Sequence, residues 1–152
     1  MKIYLTVAFV FALLSMFMTI AAAIFATFWS ISNIGSFGIA GDYATLGLLA
    51  AIAGTITSLV AMIVTAVAIL STSASKTLPT VGLVFVIVTF VIAITVAVLS
   101  PLWVAGDVAN YGIVSTMPFA GAALGGSVGV MSLMAMIMFI VEMVVKPSEK
   151  RA

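Results

Sequence analysis

Apolar residues fill four long stretches of this chain, and polar residues collect in three short breaks between them. The stretches run from about Ile3 to Phe28, Ala44 to Leu70, Leu78 to Ser100 and Phe119 to Val145. None alternates apolar with polar residues as a half-buried strand would, and turn signals are too sparse for a sheet. Each holds 23 to 27 residues, roughly 35–40 Å of helix at ~1.5 Å per residue. A bilayer's hydrocarbon layer of about 30 Å is crossed by roughly 20 residues. The pattern predicts four helices, each long enough to span a membrane with tilt.

The predicted ends carry their own markers. Asp42, Thr77 and Thr116 stand just before apolar runs, where a side-chain oxygen accepts the free amide hydrogens of a first turn. Pro79 and Pro118 fall near predicted starts, and Pro101 and Pro147 just past predicted ends. A missing N–H does least harm there. Uninterrupted helices of this kind do not suggest the broken helices with which secondary transporters bind solutes. Lys2, the first run and Ala21-Ala22-Ala23 together imitate a secretory signal. A matching run lies mid-chain, so we read the first as a permanent helix.

That match is part of a repeat. Trp29, seven residues, Phe37, Gly38 and Ile39 are answered by Trp103, seven residues, Tyr111, Gly112 and Ile113. The offset is 74, and it also pairs Lys2 with Lys76, Thr6 with Thr80, Gly47 with Gly121, and Ser58 with Ser132. No gap is needed. The chain reads as a single domain, 1–152, built from two tandem copies of a hydrophobic helical hairpin, 1–75 and 76–152. The expected fold is an all-α, antiparallel four-helix bundle of membrane-type helices. The two Trp stretches would be the crests of the hairpins, turning the chain and presenting Trp29, Phe37, Trp103 and Tyr111 as interface aromatics.

Composition sharpens this picture. Apolar residues make up 65% of the chain and charged ones 6%, against about a quarter charged in soluble domains. The helices must therefore meet lipid or other copies of the same chain. Cysteine and histidine are both missing, which removes thiol and imidazole catalysis and the metals and haem those side chains hold. We expect no enzyme, no cofactor and no metal site. Charge is sorted by end: Lys2, Lys76, Lys146, Lys150 and Arg151 would share one end with Glu142 and Glu149, for a net +3. The Trp end, with Asp42 and Asp107, carries −2. In a membrane this predicts cytoplasmic termini. In a particle it predicts a basic face that contacts nucleic acid without sequence preference.

Small residues supply the expected packing. Gly121, Gly125 and Gly129 lie four apart, on one helical face, and their partners are Gly47, Ala51 and Thr55. Such a stripe lets backbones approach closely, and we expect the second and fourth helices to meet along it across a pseudo-two-fold. Glu142 stands four before Lys146, the order of a favourable helical pair at a snorkelling helix end. Asn33 and Asp107, each four residues after a Trp, read as turn-forming side chains. Ser15, Thr19, Thr89 and Thr95 can bond back to their own helices. No other ionisable residue enters a helix body, unlike the mid-depth acids and bases of pumps.

Two families have related features. Claudin-like four-span proteins share a Trp after the first helix, but their Gly-Leu-Trp and paired cysteines are missing here. The chain also resembles the coat, or major capsid, protein of spindle-shaped archaeal viruses. Those coats are very apolar hairpins with a polar, nearly uncharged loop at one end and a short basic C-terminus at the other. Lys2 to Ser75, with the Ser30–Gly41 loop, is similar to one such hairpin. Lys76 to Ala152, with the Val104–Ser115 loop and Lys146-Pro147-Ser148-Glu149-Lys150-Arg151, is similar to a second. The resemblance implies a non-enzymatic virion shell subunit that self-assembles as a homo-oligomer or filament, with lipid as a further partner. The alternative is a four-span integral membrane protein, an accessory subunit or a small-solute pore. A pore would need a hydrated path past Ser15, Thr19, Thr57 and Thr95.

Overall fold

The computed structural model describes residues 2–33, 38–72, 76–111 and 117–149. They form four helices, α1 (Ile3–Asn33), α2 (Gly38–Leu70), α3 (Thr77–Tyr111) and α4 (Met117–Glu149), with no strand among the described residues. The fold is an all-α four-helix bundle. Each helix contains a stretch long and apolar enough to cross a membrane: Ile3–Phe25, Leu46–Leu70, Thr77–Leu102 and Phe119–Val145.

The helices outrun the apolar runs that predict them. α1 continues to Asn33 and α3 to Tyr111, so Trp29, Trp103, Asn33 and Asp107 stand on helices, not in loops. Pro101 lies inside α3 and Pro147 inside the last turn of α4. Both were expected beyond a helix end. A proline removes one donor from the ladder, and here Pro101 deprives only the Ala97 carbonyl of its usual partner while helix-compatible residues carry the chain onward. Asp42 is likewise the fifth residue of α2 rather than its cap. Thr77 opens α3 instead of preceding it; Thr116 lies outside the described residues. The starts of α1 and α3 are built alike. Thr6 donates from both its amide and its hydroxyl to the Lys2 carbonyl, and Thr80 does the same to Lys76.

The four helices stand in a ring: α1 packs on α2, α2 on α3, α3 on α4 and α4 on α1, while the two diagonal pairs barely meet. Neighbours meet with residue numbers running in opposite senses. Lys2 reaches Ser71 and Thr19 faces Gly54 across α1 and α2. Gly121 faces Ser100 and Gly82 faces Phe139 across α3 and α4. The expected close pairing of α2 with α4 is therefore wrong, because these two helices occupy a diagonal. The glycines of α4 approach α3 instead.

Side chains are sorted inside out. The buried core is mostly small: Ala8, Ala12, Ala51, Ala61, Ala68, Ala93 and Ala135, with Leu5, Val86, Val128 and Phe139 as its larger members. Phe17, Leu49, Ile56, Val91, Phe119 and Val130 point outward, each at least half exposed. A water-soluble bundle would reverse this order, because burying such side chains is what stabilises it, at about 25 cal/mol per Å². Close helix contact among small residues is the economy of membrane helices, where no hydrophobic drive separates helix from surroundings.

Candidate functional site

The feature that stands out inside this bundle is a layer of hydroxyls at mid-height. Ser15 on α1, Ser58 on α2, Thr89 on α3 and Ser132 on α4 surround one narrow space, together with Ala12, Ala61, Val86 and Ala135. All eight fall into pairs at the offset of 74: 12 with 86, 15 with 89, 58 with 132, 61 with 135. Serine and threonine fit here because their small side chains let four helices converge. The space they enclose is too narrow to admit a water molecule.

Most hydroxyls in these helices are satisfied locally. Thr55 donates to the Ala51 carbonyl, Ser58 to Gly54, Thr89 to Phe85 and Ser100 to Val96, at 2.7–2.9 Å. Such back-bonding to a residue one turn earlier is the usual fate of a mid-helix hydroxyl. Thr57 goes further, sharing a 2.8 Å hydrogen bond with Thr89 across α2 and α3. Ser15 and Ser132 depart from the rule: both oxygens are buried and neither has a hydrogen-bond partner. An unsatisfied buried hydroxyl costs about 1–3 kcal/mol.

The residues named from the sequence are distributed differently. Gly125 makes the closest approach of the stripe: a Cβ there would stand 3.2 Å from Val96 Cγ1 and 3.3 Å from the Ala93 oxygen and the Ala97 nitrogen. Gly121 would meet Ser100 Oγ at 3.2 Å, and Gly129 only Ala93 and Ile94 at 3.9 Å. Among the described residues nothing stands within 4 Å of where a Cβ on Gly47 would lie. Ala51 is buried and Thr55 half-buried. Two further glycines take part, Gly54 on the face it shares with Gly47 and Ser58 and Gly82 near the start of α3. A Cβ on Gly54 would stand 3.2 Å from Thr19 Cγ2, and one on Gly82 would stand 2.8 Å from the Phe139 ring.

The ends are less uniform than the expected basic face. Lys2 is half-buried, and its ammonium donates to the carbonyls of Ala68 and Ser71, the free acceptors at the end of α2. Lys76 is exposed. Lys146 lies on α4, but its side chain is outside those described, as are the side chains of Trp29, Trp103 and Tyr111. Phe37, Lys150 and Arg151 lie outside the described residues altogether. The expected Glu142–Lys146 pair falls partly outside the described side chains, but Glu142 itself is only 5% exposed, more buried than a snorkelling residue. Its counterpart at the offset of 74 is Ala68, so a polar residue occupies an interior position where the first hairpin has a methyl group.

Chemically the hydroxyl layer is a site for hydrogen bonding. Ser132 and Glu142 are ten residues apart, about 15 Å along the helix, so the nearest buried carboxylate on α4 is too far to act as its base. Among the described residues no group of acids could hold a metal ion. Of the residues required for a hydrated path, Thr95 is exposed and bonded to its own Val91 carbonyl, and Thr19 to Met16. No protein-family model, no curated protein and no solved structure matches this chain.

Proposed function

We propose that the chain is a non-enzymatic structural subunit that assembles laterally with copies of itself through its apolar helix flanks, as the coat of a spindle-shaped archaeal virus would. One observation carries this reading: large apolar side chains cover all four helices outside, while the interior is closed with Ala, Ser and Thr. A surface of that kind demands an apolar surrounding on every side. An array of identical subunits supplies one, and nucleic acid bound without sequence preference at the end holding Lys2, Lys76 and the C-terminal bases would fit the same design.

A second reading, a four-span integral membrane protein, is favoured by helices of membrane-crossing length. Within it, a centre too narrow for water supports an accessory subunit over a pore. The deciding experiment is removal of detergent from purified protein, followed by negative-stain imaging and lipid analysis. The coat reading expects filaments, sheets or closed particles that form without lipid. A chain that stays a dispersed monomer or dimer, or that orders only inside bilayers, overturns it in favour of the membrane subunit.

A further inference from the structure

Lys2 and Lys76 hold the same place in the two repeats, each one residue before a helix start. Each is followed four residues later by a threonine that donates twice to its carbonyl, Thr6 for the one and Thr80 for the other. The backbones match, and the side chains do not. Lys2 is half-buried, and its ammonium donates to the Ala68 and Ser71 carbonyls where α2 ends. Lys76 is exposed. A cation beside a helix start stands at the positive end of that helix's dipole, so neither lysine serves the helix it precedes. Lys2 gains instead from the negative end of α2, whose last carbonyls lack partners within their own helix.

We propose that the duplicated lysines have divided two roles: Lys2 is a latch that fastens the start of α1 to the end of α2, and Lys76 contacts the phosphates of nucleic acid. The second half rests on the nucleic-acid contact in the coat reading; the latch does not. An ammonium has three N–H donors, and two of those on Lys2 are committed to carbonyls. Reaching a phosphate would draw Lys2 out of its half-buried position and leave both carbonyls without this donor. Lys76 gives up no burial of that kind, and its charge complements a polyanion lying across that end of the bundle. A contact made to phosphate carries no preference for base sequence.

Both roles are tested on the full chain in nonionic micelles. Binding of mixed-sequence duplex DNA is followed by fluorescence anisotropy at rising salt. K76M is expected to weaken binding and to lower the logarithmic salt slope by about 1. K2M is expected to leave that slope as it is. In hydrogen exchange K2M instead loosens the last turn of α2, where the Ser71 amide donates to the Val67 carbonyl, and that amide exchanges several-fold faster. K2R, which keeps a cationic donor, retains the protection. A K2M slope as low as that of K76M overturns the division, as does a Ser71 amide that exchanges at the parent rate in K2M. Should K76M leave the slope unchanged and speed exchange at the end of α4, Lys76 is a second latch and the division falls. Parent binding whose slope is indifferent to both lysines overturns the role of Lys76 and leaves the nucleic-acid reading standing. A parent chain that binds no DNA overturns that reading and the role of Lys76 together, and the exchange rates alone then decide the latch.

Discussion

In the second hairpin α4 meets α3 at Gly125, so closely that a Cβ would press on the backbone of Ala93 and Ala97. The first hairpin has Ala51 at the corresponding position, and its methyl group is buried there. Beside it a groove of about 520 Å³ runs down the outer flank, lined by Ile20, Ala23, Ile24, Thr27, Ile52, Thr55 and Ile56. Both hydroxyls in the groove are already bonded to their own helix, so it asks nothing polar of whatever fills it. Of those seven positions, Ile52 and Thr55 correspond to Gly126 and Gly129 in the second hairpin. Along this flank the first hairpin carries Ala51, Ile52 and Thr55 where the second carries Gly125, Gly126 and Gly129, so the two similar hairpins present different side-chain bulk at the same positions.

The same contrast holds toward the basic end, with the roles reversed. Phe139 is the largest fully buried side chain, and it fits because Gly82 leaves space for its ring. The corresponding pair in the first hairpin is Thr65 and Ala8, which divides a similar volume more evenly. Phe139→Ala should therefore destabilise the bundle by about 3–5 kcal/mol, and Thr65→Ala by only about 1 kcal/mol. Reversible unfolding in mixed micelles, followed by helical circular dichroism, measures both. Equal losses would show that the two hairpins share the core evenly after all.

A smaller effect sharpens the comparison at the point of closest approach. Gly125→Ala places a methyl group against backbone atoms that cannot rotate away, and overpacking of that type costs about 1–3 kcal/mol. Ala51→Gly makes the reverse exchange in the first hairpin and should cost about 1 kcal/mol or less, mainly through helix propensity. If G125A is as mild as A51G, the α3–α4 contact is looser than its distances indicate, and glycine is not what separates the hairpins.

Much of the architecture was legible in the chain because it rests on long-range composition. Four apolar runs of membrane-crossing length can hardly become anything but packed helices, and hydropathy reports this without knowledge of neighbours. Helix ends were misjudged for a physical reason. The apolar run marks where a helix is greasy, while backbone bonding continues through Trp29 to Asn33 and past Pro101 to Tyr111. The partner of the glycine stripe was also hidden, since a face on one helix does not say which of three others it meets. Gly54 and Gly82 were out of reach because each matters through particular neighbours on other helices, Thr19 and Ile92 for the one, Phe139 and Thr65 for the other. The hydroxyl layer did carry a signal: Ser15, Ser58, Thr89 and Ser132 repeat at 74 with small or β-branched residues one turn away. What the pattern could not reveal is that Ser15 and Ser132 lack partners while Thr89 has two.

That last difference yields the smallest and most discriminating comparison, because its two halves should differ in sign. Ser15 and Thr89 correspond at the offset of 74. Thr89→Val keeps the shape but removes the bond to Thr57, at a cost of about 0.5–1.5 kcal/mol. Ser15→Ala removes a buried hydroxyl that bonds to nothing, so the folded chain should be unchanged or gain up to about 1–3 kcal/mol. Both variants are compared with the parent chain in the same micelle titration. Should Ser15→Ala weaken the bundle as much as Thr89→Val does, the Ser15 hydroxyl is bonded in solution.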